Sequence, residues 1–167
     1  MEITIRSIIL FSAVILTGLS AGFFYAWQVS VIPGTRRVVD LTYLETMQSI
    51  NRAILNPAFF VVFFGTLVLL GIASIYEFHT NKLVFTLMLS SALTYLLGTF
   101  GVTVLGNVPL NDQLDVMNIA ETVPHKIAEF RKYYETNWNR LHLIRTLFAV
   151  LSFLLAVSAL FLQIKKG

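Results

Sequence analysis

Four apolar runs decide what this chain can fold into: about Ser7 to Ile32, Pro57 to Tyr76, Leu83 to Leu105 and Leu141 to Leu162. Crossing about 30 Å of hydrocarbon takes roughly 20 mostly apolar residues, and each run is long enough. The composition agrees. The chain is 56% hydrophobic and only 13% charged, whereas a soluble domain carries about 25% charged residues. The first run follows Arg6 as a signal peptide would, but it is too long for that, and "SAGFFYAWQ" is a poor cleavage site. It reads as a retained helix. The sequence therefore predicts an all-α membrane protein of 167 residues, a single four-transmembrane-helix bundle over 1–167.

An even number of spans places both termini on one side, together with the short turn Tyr76 to Lys82. That short turn also favours antiparallel neighbours. The two longer polar segments, 33–56 and 106–140, share the other side and are expected to form amphipathic helices capping that face. Arg6, Lys82, Lys165 and Lys166 fall on the terminal side, and the remaining eight Lys and Arg on the other. The positive-inside rule then points the long segments toward the cytoplasm, although many of their cations stand beside acids. The expected location is the bacterial inner (plasma) membrane. The formal charge of +3 does not indicate nucleic acid, because the basic residues are scattered and the lipid bilayer is a sufficient partner. The absence of cysteine excludes disulfides, thiolate metal sites and cysteine nucleophiles.

The polar side chains carry the functional signal. In "ETMQSINRAILNPAFF" a helical period puts Leu41, Leu44, Met47, Ile50, Ile54 and Leu55 on one half. Gln48 and Asn51 fall within that apolar half. A buried amide without a partner costs roughly 2–7 kcal/mol, so these two brace another element or line a polar pocket. Asn56 before Pro57 reads as a helix N-cap. In "GNVPLNDQLD", Asn107 reads as a cap and Asn111 stacks one turn beyond it. In the last long helix, Ile127, Arg131, Tyr134, Trp138, His142, Arg145, Ala149 and Ser152 step by three or four along one stripe. Arg145 lies about one turn inside the apolar run, where a cation must face the bundle or a wet cavity, or snorkel outward. In the first span Gly18 and Gly22 have the spacing of a close helix contact. Tyr25 continues their stripe and Gln28 follows one turn on. Tyr95 and Thr99 stack on the third span. Gln28, Gln48, Asn51, Asn111, His142 and Arg145 share one depth, which suggests a pocket greasy below and polar above, suited to a flat hydrophobic molecule bearing a few oxygens.

Three blocks, "MQSINRAILNPAF", "NVPLNDQL" and "WNRLHLIRT", resemble the anthrone oxygenase-like (DUF1772) family of small four-span membrane proteins. Some fungal members are associated with oxidising anthrones to anthraquinones with dioxygen. The resemblance implies a monooxygenase-type oxidoreductase needing no cofactor, since an anthrone anion is electron-rich enough to reduce dioxygen directly. On that reading His142 is the base. Arg145, with Arg140, stabilises the oxyanion. Gln48, Asn51 and Asn111 orient substrate oxygens, while Trp138 and Tyr25 stack on its rings and Gln28 completes the pocket.

Two rivals stand beside it. One is a metal or haem at His142. His79 lies on the other face, and His125 is seventeen residues from His142 on one helix, about 25 Å away, so only Asp112 and Asp115 remain as co-ligands. The other is a non-enzymatic protein that binds a quinone or lipid, or a small subunit of a membrane complex.

Overall fold

The computed structural model describes residues 4–164, so Lys165 and Lys166 of the charge count lie outside the described residues. Helices dominate, and no strand occurs among the described residues. We number the long helices α1 (Ile5–Thr35), α2 (Asp40–Ala53), α3 (Pro57–Glu77), α4 (Lys82–Asp115) and α5 (Pro124–Ile164). A single 3-10 turn, Ile119–Glu121, joins the last two. Helices α1, α3, α4 and α5 are each long and apolar enough to cross a membrane. This is an integral membrane protein. Helix is the form such segments take, because hydrocarbon offers no partner to an open backbone N–H or C=O.

The starts of the helices follow local chemistry. Thr4 accepts a hydrogen bond from the Ser7 amide at 3.2 Å. Asn56 caps α3 as its place before Pro57 requires, Oδ1 accepting from the Phe59 amide at 3.0 Å. Asn81 caps α4 through the amides of Leu83 and Val84. Asn107 differs from the expectation. It has helical φ and ψ of −69° and −39° and makes no capping bond, because α4 runs straight through it. Its Nδ2 donates to the Trp138 carbonyl at 3.2 Å instead.

Prolines 33 and 109 stand inside these continuous helices. Each lacks an N–H, and its ring crowds the carbonyl one turn back. Both follow a stretch of π-helix, Trp27–Val31 and Thr103–Asn107, in which the ladder lengthens. The Ile32 amide reaches Trp27 O and the Val108 amide reaches Thr103 O, each five residues back. The wider turn makes room for the proline that follows. A third π stretch covers Tyr95–Gly101.

The four spans pack in a ring, α1 against α3 and α5, and α4 against α3 and α5. Gly18 meets Phe153 while Phe24 meets His142, so α1 and α5 run antiparallel. The seam on α1 is Leu10, Ala13, Thr17, Ser20, Ala21 and Phe24, all buried. The expected Gly18–Gly22–Tyr25 stripe is one residue out of phase with this seam. Gly18 does touch Phe153, but Gly22 faces open space and Tyr25 is 58% exposed. Between α4 and α5, Ser91 Oγ donates to Ser152 O at 2.8 Å and Ser152 Oγ to Ser91 O at 2.9 Å. Tyr95 donates to Phe63 O and meets Ser20 Oγ, tying α4 to α3 and α1.

The cap is more continuous with the bundle than separate helices would be. Only α2 is a helix of its own; the rest of the cap is the end of α4 and the first turns of α5. At 41 residues α5 is about 60 Å long and projects well past the bilayer. A second apolar core joins Ile32, Tyr43, Leu44, Met47, Leu114, Ile127 and Tyr134 there. Burial and the nearby Glu135 push the Tyr43 phenol pKa above the ordinary tyrosine range. Arg131 holds the link from α1 to the start of α2 by donating to Val38 O at 2.7 Å and to Asp40 Oδ1 at 2.8 Å. At the opposite end of the bundle, Arg6 grips the buried Glu77 through two bonds of 2.5 Å.

Candidate functional site

The stripe on α5 faces inward, as its period predicts. Tyr134, Trp138, His142, Ala149 and Ser152 are buried, and Arg145 is only 8% exposed. Arg145 therefore does not snorkel.

Arg145 sets the tautomer of His142. A guanidinium has only donors, and its Nε and Nη2 lie 3.1 and 2.9 Å from His142 Nδ1. Nδ1 is thus the lone-pair nitrogen. Nε2 carries the proton and donates to the Phe24 carbonyl at 3.1 Å. Nη1 of Arg145 reaches Thr103 Oγ1 at 3.4 Å, whose own hydrogen goes to Thr99 O. So two acceptors serve five N–H groups. No acid forms an ion pair with Arg145 among the described residues. The cation is sandwiched instead by the rings of Phe24 and Trp138, with Cζ 4.8 and 5.0 Å from their centroids. Trp138 stacks on the His142 imidazole at 5.0 Å, nearly parallel.

A second network orders the amides. Trp138 Nε1 can only donate, and it donates to Asn111 Oδ1 at 2.8 Å. Tyr134 donates to the same oxygen at 3.0 Å and accepts from Asn51 Nδ2 at 3.0 Å. Asn111 thus turns its carbonyl to the wall, which leaves its NH₂ without a protein partner among the described residues.

Both networks border one cavity of about 200 Å³, bounded by α1, α2, α3, α4 and α5. Phe23, Phe24, Trp27, Ile54, Leu55 and Phe59 form its apolar walls. Arg145, Thr103, Asn51 and Asn111 supply polar atoms within, and Arg52, Asp112 and Asp115 form the rim. Arg52 pairs with Asp115 at 2.6 Å, while Asp112 is exposed.

Of the sequence-predicted residues, Arg145, Asn51, Asn111 and Trp138 line this cavity, and His142 stands directly behind Arg145 and Trp138. The others do not line it. Gln48 closes off the end of α4, its Nε2 donating to the carbonyls of Leu114, Asp115 and Met117. Arg140 is exposed, Tyr25 looks outward, and Gln28 Oε1 is buried without a partner among the described residues. Trp27, Phe59 and Thr103 are contributors that sequence reasoning missed, and Asp112, considered there only as a metal co-ligand, stands at the rim. Among the described residues no three His, Asp or Glu side chains gather closely enough to hold a metal ion.

The arrangement defines a class: a four-span helical membrane protein with a buried cation in an aromatic-walled cavity under a helical cap. Comparison with known families narrows it. The anthrone oxygenase family model matches residues 58–155, more than half of the 167 residues, and the chain belongs to that family. No curated protein and no solved structure matches it significantly.

Proposed function

We propose that this chain is a cofactor-independent oxygenase acting on anthrone- or quinol-like aromatics. The observation that carries this reading is Arg145, a buried guanidinium with no acid partner among the described residues, lining a cavity with aromatic walls. A flat ring system bearing an oxygen anion complements both the charge and the shape. The family's name supplies the reaction class.

The reaction balances without a further reagent. An anthrone and one dioxygen give an anthraquinone and one water. Loss of a proton from the ring methylene leaves an anion delocalised onto the ketone oxygen, and Arg145 stabilises that oxygen. The anion passes an electron to dioxygen; the radicals couple at carbon, and water leaves as the new C=O forms. The NH₂ of Asn111, with Asn51 behind it, orients a second substrate oxygen. Trp138 and Trp27 stack on the rings. His142 is the proposed base. Its Nδ1 is engaged by Arg145, so it becomes available as the substrate oxygen draws the guanidinium away. No role falls to Arg140.

One observation favours a second reading: both nitrogens of His142 are hydrogen-bonded. A site with no free base can bind a quinone-like molecule without turning it over. Oxygen uptake separates the two. Protein in phosphatidylcholine vesicles given 1,8-dihydroxyanthrone should consume one dioxygen per anthraquinone formed, and His142→Ala should abolish this. Uptake no faster than in empty vesicles would leave the binding protein.

A further inference from the structure

A second cavity, of about 540 Å³, lies between α1 and α3 on the membrane-spanning part of the bundle. Its walls are nearly all apolar, and Ser20 and Asn56 are the only polar side chains among its lining residues. It shares Phe23, Phe24, Ile54 and Phe59 with the first cavity. The two spaces are therefore neighbours separated by these four side chains. Phe23 is 39% exposed, and its ring lies 5.9 Å from that of Phe59. Gly22 lies on the α1 wall, where a Cβ would meet nothing within 4 Å. A methyl group there would leave the groove open, and only a large side chain would fill it.

We propose that this groove is a lateral portal, through which a flat apolar molecule dissolved in the bilayer enters the Arg145 cavity, with Phe23 and Phe59 as the gate. The occupant follows from position. At this depth the groove faces acyl chains, so its ligand must partition into hydrocarbon. A wall shared with the cavity and made of side chains that can swing makes it a passage rather than an isolated cleft. A polar solute would instead meet the exposed rim of Arg52, Asp112 and Asp115. The inference rests on the cavity being a binding site, but not on its being catalytic.

The chain carries its own reporter. Its only two tryptophans, Trp27 and Trp138, both line the Arg145 cavity, and quinones quench indole fluorescence. Protein in phosphatidylcholine vesicles would be mixed with vesicles preloaded with anthraquinone, and the quenching followed in time. Gly22→Phe fills the groove from α1, and Ala58→Phe fills it from α3. Each should slow quenching by about tenfold, as an obstructed gate limits ligand exchange, and leave the final quench unchanged. Gly22→Ala should match wild type. Quenching by the water-soluble anthraquinone-2-sulfonate should be equally fast in all variants. Wild-type rates in both Phe variants would overturn the portal and leave the cavity reading intact. A wild-type protein that is not quenched at all would overturn the cavity reading as well.

Discussion

Arg145 is costly to keep. A buried cation without an acid partner is a liability to the fold, and neutral acceptors and aromatic faces hold it here. That argues for a ligand that completes its hydrogen bonds. Arg145→Met should weaken anthraquinone binding by about 1.5–3 kcal/mol, the range for a hydrogen bond to a charged group, readable as a roughly tenfold to hundredfold rise in Kd. The role of His142 separates from that of Arg145 through His142→Gln. Glutamine still offers the guanidinium an acceptor but is not a base. If His142 takes the proton, this variant binds ligand and consumes no oxygen; wild-type uptake would reduce His142 to a positioning residue. At this scale the sequence was legible where a helical period applied. The α5 stripe could be counted out from Ile127 to Ser152. Gln48 could not be placed, because its partners are backbone carbonyls, which leave no trace in residue types. Trp27 and Phe59 enter the site only through contacts between distant segments.

Helices α4 and α5 show how close approach was bought with small residues. A Cβ on Gly98 would lie 2.0 Å from Cγ and 2.4 Å from Cβ of Phe148, atoms too near the backbone to swing aside. Gly98→Ala should therefore destabilise the protein by about 1–3 kcal/mol or more, the range of overpacking, seen as a lower melting temperature in detergent. A variant that melts with wild type would mean that α4 and α5 are less tightly apposed. The π stretches are the main feature hidden at this scale. Composition and hydropathy located the spans well, but neither distinguishes an i−4 ladder from an i−5 one. Past Trp27 the phase shifts, so a 100° count cannot carry Gln28 onto the right face. The same effect hid the true role of Asn107, since a proline two residues on resembles a helix start when the helix in fact continues.

Across the whole molecule the two ends of the bundle differ. One end is sealed by Arg6 and Glu77, and the other is opened into a cavity under the cap. Arg6→Met strands the buried Glu77 carboxylate and should cost about 3–5 kcal/mol, as removal of one partner of a buried ion pair does. Denaturation of the variant in mild detergent reads this directly, and unchanged stability would show that Glu77 finds other partners. The bundle and its four spans were evident from hydropathy alone. Of the six polar residues that share one depth in the sequence, Asn51, Asn111 and Arg145 line the cavity, and Gln28, Gln48 and His142 do not. The cavity's walls were not evident, because five helices contribute to them. The most direct test of the central claim is equilibrium quenching of Trp27 and Trp138 by anthraquinone in vesicles, comparing wild type with Arg145→Met. The account predicts saturable quenching in the wild type and a Kd at least about tenfold higher in the variant. Quenching that rises without saturation, or is identical in the two proteins, would contradict a binding cavity built around Arg145.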